Sequence, residues 1–291
     1  MTGLFVACWL LAGGVQKLWW MQFGCWLLAA ILMAEINNLN ALIRVYSRMP
    51  SCTFLALSCC ACFLFPSVES GVTVLCFCAA WLLLFNGYQD KQSTGWTFYA
   101  FICMGVGSLL FPQALFFLPL TWLLMASLLQ SMSWRTWLAS LLGLLLPYWF
   151  LLCWLTWTAD FGSLVDHWHK LTTLAPPLDY GSLSIGAMLA IALCTVLGAT
   201  STIHFLLQKI NDKIRVRQLS AFFYWMSAYT LLLMLLQPAH IGCLLPVLIA
   251  SVSPLVGHFV TLGHSRFTNA TFVAATAAAI AITAFNLWNM H

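Results

Sequence analysis

Long apolar runs separated by short polar breaks make up almost the whole chain. A membrane span needs about 20 mostly apolar residues, and within lipid every backbone polar group must be bonded inside its own segment, so such runs form helices. The runs predict eleven spanning segments, at residues 2–16, 18–36, 51–67, 70–87, 95–111, 113–131, 136–157, 183–207, 218–236, 240–262 and 268–288. A count of ten results if the short first run is merged or is not a span. The predicted fold class is therefore all-α, a polytopic transmembrane bundle of about 10–11 helices forming one integral membrane domain over residues 1–291.

The composition supports a membrane location and argues against a soluble core. The chain is 63% hydrophobic and 6% charged, whereas a soluble domain carries about 25% charged residues. The formal net charge of +4 is spread over the loops and forms no basic stripe of the kind that binds nucleic acid. We therefore expect membrane lipid to be a partner, and no nucleic acid.

The distribution of basic residues predicts how the helices are oriented. The segment Lys209–Arg217 holds four of the eleven basic residues within nine positions. Cytoplasmic loops carry an excess of Lys and Arg, so we place this segment in the cytoplasm. Alternating outward from it puts nine basic residues inside and two, Lys17 and Lys170, outside. This model has the N-terminus inside and the C-terminus outside.

The only sizeable external loop, residues 159–182, has an amphipathic first half. Apolar residues recur there at helical spacing and form one stripe: Phe161, Leu164, Val165, Trp168 and Leu171. This spacing predicts a helix lying on the outer leaflet. The alternative is a lid over a cavity, with Asp160, Asp166, His167 and Asp179 as candidate catalytic residues that meet a polar substrate. His167 and His169 point to different sides of such a helix, so no metal site is predicted.

A second polar segment lies where the second span leaves the membrane. It contains an acid, amides and two cations: Glu35, Asn37, Asn38, Arg44 and Arg48. An ordinary interfacial cap is one interpretation. The other is a binding site for an anionic lipid headgroup or a phosphate, because Arg and side-chain amides donate hydrogen bonds well to phosphate oxygens.

Other features of the sequence carry less chemistry. The twelve cysteines lie in or at the edges of apolar runs, which predicts free thiols used for packing. No nucleotide-binding loop, zinc-protease helix or nucleophile elbow occurs, and no cofactor is predicted. The small residues of Ala274–Ala279 predict that the last helix packs inside the bundle or against a partner chain.

A set of motifs lies between about residues 30 and 150: Glu35–Asn40, an Arg-bearing link, Tyr88–Lys91, Gly107–Pro112, Trp134–Gly143 and Pro147-Tyr148. Together they resemble an uncharacterised polytopic inner-membrane protein family of Bacteroidota. The resemblance implies a bacterial inner (plasma) membrane, which would make the loop at 159–182 periplasmic. It implies no activity.

Two functional hypotheses fit these observations. The first is a transporter or assembly component that handles a lipid or a cell-envelope precursor, with a lipid-linked precursor or another membrane protein as partner. The alternative is an enzyme similar to the multi-span glycosyltransferases that use lipid-linked sugars, with which the chain shares many helices, external Trp residues and external acids. Unlike those enzymes, it has no acid in its first external loop, Gly14–Lys17. A deep outer cavity lined by the acids of the 159–182 loop would favour the enzyme.

Overall fold

A computed structural model describes residues 1–43, 47–158, 162, 181, 183–208, 212–263 and 266–290. The prediction of an all-α bundle is confirmed, since these residues form eleven α-helices and no strand. The helices are α1 (Thr2–Leu11), α2 (Trp20–Asn40), α3 (Met49–Cys60), α4 (Val68–Asn86), α5 (Thr94–Leu110), α6 (Phe117–Ser127), α7 (Trp134–Thr158), α8 (Ile185–Gln208), α9 (Ile214–Leu236), α10 (Ile241–Leu262) and α11 (Arg266–Trp288). Short 3-10 helices follow α3 and precede α6 and α10, at Cys62–Leu64, Pro112–Phe116 and Pro238–His240.

Each of the eleven predicted apolar segments overlaps one of these helices, but the helices differ in length. Seven helical segments are long and apolar enough to cross a membrane: α2, α4, α7, α8, α9, α10 with its preceding 3-10 turn, and α11. The apolar helices α1, α3, α5 and α6 are shorter. Within the described residues, the chain is therefore a helical membrane bundle with seven candidate spans and four shorter apolar helices.

The first predicted segment, residues 2–16, is not one continuous helix. Helix α1 has 10 residues, which at about 1.5 Å per residue reach about 15 Å, half of a hydrocarbon core. The chain turns after Leu11, where Gly13 has a φ of +83°. Gly14 then passes so close to the Trp9 ring that a Cβ would overlap it. The Gly13-Gly14 pair thus allows the tight reversal that ends the helix early.

Helix α10 is the central helix of the bundle. Of its membrane-length window, 94% is buried, and it packs against α3, α4, α8 and α9. Pro246 has no N–H group, so the carbonyl of Gly242 loses its helical partner. Ser70 of α4 donates a hydrogen bond to that carbonyl at 2.9 Å. A side chain from a neighbouring helix therefore satisfies the backbone group that proline frees.

Helix α11 lies at the periphery and contacts mainly α3 and α8. Only 6% of its membrane-length window is buried, and Ala274 and Ala277 are exposed. Ala275, Ala278 and Ala279 are half-buried, and the Ala279 carbonyl lies 3.5 Å from Sγ of Cys60 in α3. The small residues therefore pack at the edge of the bundle and not at its centre. Packing of the exposed ones against a partner chain stays a prediction.

The helices alternate in direction, so the bundle has two distinct ends. Arg215 at the start of α9 bonds to Asn40 and to the carbonyl of Phe85, at the ends of α2 and α4. Seven of the eight basic residues within the described ranges lie at this end, called the basic end below: Arg48, Lys91, Arg135, Lys213, Arg215, Arg217 and Arg266. Lys17 lies at the opposite end, before the start of α2. The predicted charge asymmetry is therefore present along the bundle axis.

All twelve cysteines are free thiols, as predicted. Most are buried in the helical interior. Among the described residues, no group of three or more His, Cys, Asp or Glu side chains is arranged to hold a metal ion.

Candidate functional site

The catalytic candidates of the external loop cannot be placed. Asp160, Asp166, His167 and Asp179 all lie outside the described residues. The same holds for the predicted amphipathic helix, of which the structure describes only Gly162. The lid and the interfacial helix therefore both stay predictions.

The candidates at the end of α2 point in different directions. Asn37 is buried, whereas Glu35 and Asn38 are exposed. The Asn37 amide donates a 2.7 Å hydrogen bond to the carbonyl of Ser47, so it braces the link to α3. Arg48 is exposed at the N-cap of α3. Arg44 lies outside the described residues.

Arg215 connects three helices. In the sequence it contributes only to the basic segment that predicts the orientation of the bundle. Its guanidinium donates a 2.7 Å hydrogen bond to Oδ1 of Asn40 and a longer one, 3.5 Å, to the carbonyl of Phe85. It also lies 5.5 Å from the centre of the Tyr88 ring. Both acceptors are at helix C-termini, where a cation is favoured by the helix dipole. Arg215 therefore ties α9 to α2 and α4 at the basic end.

One cavity lies at the opposite end, between the start of α8, the end of α11 and the 3-10 turn after α3. Its volume is about 350 Å³, within the range of about 300–1,000 Å³ typical of small-molecule sites. It is lined by Phe63, Ser184, Ile185, Gly186, Phe285, Asn286, Asn289 and Met290. We call it the α8–α11 pocket.

Asn286 fixes the shape of this pocket. Its side chain is 4% exposed and donates a 2.7 Å hydrogen bond to the carbonyl of Cys60 and a 3.4 Å one to the carbonyl of Gly186. A Cβ at position 186 would overlap the Asn286 amide, so the close approach of α8 and α11 requires glycine there. The end of α11 is thereby held against both α3 and α8.

The pocket is amphipathic. Asn286, Asn289 and Ser184 supply amide and hydroxyl groups, and the remaining lining is aromatic and aliphatic. Ser184 accepts a hydrogen bond from the backbone N–H of Ala187 at 3.1 Å, which caps α8 and leaves the hydroxyl proton to donate. Among the described residues, no charged side chain lines the pocket. This arrangement suits a ligand that has an uncharged polar part and an apolar part.

The pocket lies at the depth where a span ends. Helix α8 begins at Ile185 and α11 ends at Trp288, whose side chain is strongly exposed. Trp side chains favour the headgroup level of a bilayer. Asn289 and Ser184 are exposed at the mouth. Ser184 and Asn289 therefore lie where we expect lipid headgroups to be.

A second, much smaller cavity lies at the same end of the bundle. Its volume is about 10 Å³, which is room for about one water molecule. Gln113, Gln237 and His240 line it, and the Gln113 amide lies 3.1 Å from Nε2 of His240. This cavity is too small for a ligand and suits a structural water.

Sequence reasoning missed the α8–α11 pocket. Its polar residues are single amides and a hydroxyl, separated along the chain by about a hundred positions, and they produce no local motif. The presence of two amides, Asn286 and Asn289, one helical turn apart at the end of the last apolar run was the available indication.

Comparison with models of known protein families, with curated proteins and with solved structures gives no match.

Proposed function

We propose that this chain is a bacterial inner-membrane protein that binds a lipid or a lipid-linked envelope precursor in the α8–α11 pocket, as a transporter or assembly component. The observation that carries the proposal is the pocket itself: about 350 Å³, amphipathic, and located where a span ends. A ligand of this kind has its polar part at headgroup depth and its chains in the bilayer.

The packing of α11 supports access from the lipid. This helix is almost entirely exposed along its length, and Phe285 at the pocket edge is itself exposed. An acyl or isoprenoid chain can therefore lie along α11 while the headgroup occupies the pocket. A fully enclosed pocket would require the helices to separate before a lipid could enter.

The lining favours an uncharged, hydroxyl-bearing headgroup. Asn289 and Ser184 can donate and accept hydrogen bonds. Asn286 can only accept, through Oδ1, because its N–H groups are bonded to the carbonyls of Cys60 and Gly186. The described cations lie mostly at the other end of the bundle. If the basic end is cytoplasmic, as the charge rule predicts, the pocket belongs to the outer leaflet.

Photo-crosslinking tests the proposal directly. The probe is a photoactivatable diacylglycerol glycolipid with one uncharged hexose, incorporated into vesicles with the purified protein. We expect cross-links to peptides from the start of α8 and the end of α11. Asn289→Phe places an aromatic ring in the exposed mouth and should lower cross-linking about tenfold, equivalent to about 1.4 kcal/mol.

Asn269→Phe is the matched control, because Asn269 is also an exposed asparagine but lies at the start of α11, near the basic end. It should leave cross-linking unchanged. Equal labelling of the wild-type protein and the Asn289→Phe variant would reject the pocket as the lipid site. Loss of glycan transfer in Asp166→Asn or Asp179→Asn, with cross-linking retained, would favour the glycosyltransferase alternative.

A further inference from the structure

Arg215 keeps an uncompensated positive charge at the basic end. Both of its hydrogen bonds come from Nη2 and go to neutral acceptors, Oδ1 of Asn40 and the carbonyl of Phe85. Its third contact is with the aromatic ring of Tyr88. Within the described ranges, no acidic side chain contacts Arg215. A carboxylate in place of either acceptor would join the same helices and neutralise the guanidinium, so the neutral partners leave its charge available.

The guanidinium is held in one orientation and still has unused donors. It carries five N–H groups, of which the described structure uses only those on Nη2. Asn40 is 4% exposed and Phe85 is fully buried, so the packed bundle fixes both acceptors. Arg215 itself is exposed. The N–H groups on Nε and Nη1 can therefore bind a group outside the bundle, from a side chain whose orientation is already set.

The position of Arg215 suits an anion at headgroup depth. Arg215 lies in the first turn of α9, and the candidate spans α2 and α4 end beside it. The start of a helix favours negative charge. A guanidinium forms charge-assisted hydrogen bonds with phosphate oxygens and stacks well on aromatic rings. Basic residues next to membrane spans attract anionic lipids.

The acids near this position are engaged elsewhere. Asp212 is buried, and its Oδ2 lies 3.2 Å from Nε2 of His258. Asp90 accepts a hydrogen bond from a backbone N–H of its own loop. The neighbouring stretches of the chain that lie outside the described ranges, 44–46 and 209–211, contain no acid in the sequence. An anion bound to the guanidinium would therefore meet a charge that no described acid neutralises.

We propose that Arg215 is the recognition residue of a binding site for a phosphate group, as carried by an anionic phospholipid headgroup. Asn40 and Tyr88 orient the guanidinium, and its remaining N–H groups donate to the phosphate oxygens. The site takes its acceptor from the end of α2, where the sequence predicts a headgroup site, but its cation from α9. Because Arg215 is exposed, the ligand exchanges readily and is lost in detergent. The proposal does not depend on the α8–α11 pocket at the opposite end.

NMR of the full chain in lipid nanodiscs, with arginine isotopically labelled at Nε, tests the site directly. Arg215→Lys assigns the Arg215 resonance, and Arg135→Lys assigns that of Arg135, an exposed arginine at the same end. As phosphatidylglycerol replaces phosphatidylcholine, the Arg215 resonance should shift and saturate. The Arg135 resonance should shift without saturation, since it responds only to the surface potential.

Inorganic phosphate added to phosphatidylcholine nanodiscs separates the two sources of the ligand. A saturating shift of the Arg215 resonance there would assign a free phosphate. A saturating shift with phosphatidylglycerol alone would assign a lipid headgroup. A resonance that saturates with neither would overturn the proposal.

Asn40→Asp separates recognition from the structural role of Arg215. The carboxylate has nearly the same size as the amide and keeps the link between α2 and α9, so the chain should stay folded, but it neutralises the guanidinium. The half-saturating fraction of phosphatidylglycerol should rise about tenfold, equivalent to about 1.4 kcal/mol. Asn269→Asp is the matched control, because it adds the same charge on an exposed residue near the basic end. It should leave the half-saturating fraction unchanged.

Equal half-saturating fractions in Asn40→Asp and Asn269→Asp would overturn the proposal, because phosphate binding would then not need the charge of Arg215. If Asn40→Asp fails to fold, the wild-type chain decides the question. An Arg215 resonance that shifts no more than the Arg135 resonance, and without saturation, would overturn the proposal equally.

Discussion

The side-chain amide of Asn286 donates a 2.7 Å hydrogen bond to the carbonyl oxygen of Cys60, which lies 226 positions earlier in the chain. The acceptor is in the last turn of α3 and the donor is in the last turn of α11. Carbonyls in the last turn of a helix have no partner within the helix. Asn286 therefore satisfies a backbone group that lipid could not satisfy, and it fixes one wall of the α8–α11 pocket at the same time.

Replacing Asn286 with Ala should destabilise the protein. The carbonyl of Cys60 would be left buried without its partner, which costs about 1–3 kcal/mol. The measurement is the apparent melting temperature in a mild detergent, with an expected decrease of several degrees. The control is Asn289→Ala, because Asn289 is exposed and exposed substitutions usually change stability by less than about 0.5 kcal/mol. If both substitutions lowered the melting temperature equally, the Asn286 hydrogen bond would contribute no more to stability than the exposed side chain of Asn289.

A methyl group at Gly186 should have a similar effect by a different route. The added Cβ overlaps the Asn286 amide, so α8 and α11 would have to separate, and overpacking of this kind costs about 1–3 kcal/mol. Gly242→Ala is the control, since a Cβ at position 242 meets no atom within 4 Å. We expect Gly186→Ala to lower the melting temperature and Gly242→Ala to leave it unchanged or raise it. The reverse order would contradict the described packing.

Arg215→Gln should weaken the basic end. The substitution removes the charge that bonds Asn40 and lies over the Tyr88 ring, and Gln is too short to replace both contacts. Thermal unfolding should occur several degrees lower than in the wild-type chain. Lys213→Gln is the matched control, because Lys213 is an exposed cation two positions earlier. Equal melting temperatures for the two variants would show that Arg215 stabilises the chain no more than an exposed cation does.

Reporter fusions test the orientation of the bundle. Fusions after Arg48, Arg135, Arg217 and Arg266 should report cytoplasm, because basic residues collect on the cytoplasmic side. Fusions near Pro176 and His291 should report periplasm. Periplasmic activity of the fusion after Arg217 would reverse the whole orientation and place the α8–α11 pocket in the inner leaflet.

The sequence predicted the features that depend on local pattern. Each apolar run contains a helix because the length and polarity of a run are local properties, and the charge asymmetry follows from single loops. Residues 2–16 failed as one helix because the reversal at Gly13-Gly14 depends on backbone conformation and on the position of Trp9.

Local sequence pattern could not predict contacts between positions that are distant in the chain. The Asp212–His258 pair joins residues 46 positions apart, and Asp212 by itself resembles any solvated loop acid. Asn286 and Gly186 are 100 positions apart, and neither residue type is diagnostic. Both sites depend on which helices are neighbours, and apolar periodicity does not encode this when almost every helix face is apolar.

Native mass spectrometry of the chain, purified from its own membrane in a mild detergent, tests the central claim most directly. If the α8–α11 pocket binds a lipid or lipid-linked precursor, the wild-type protein should carry one co-purified lipid. Asn289→Phe should lose that lipid, and Asn269→Phe should keep it. A wild-type spectrum without bound lipid, or equal lipid occupancy in the two variants, would contradict the account.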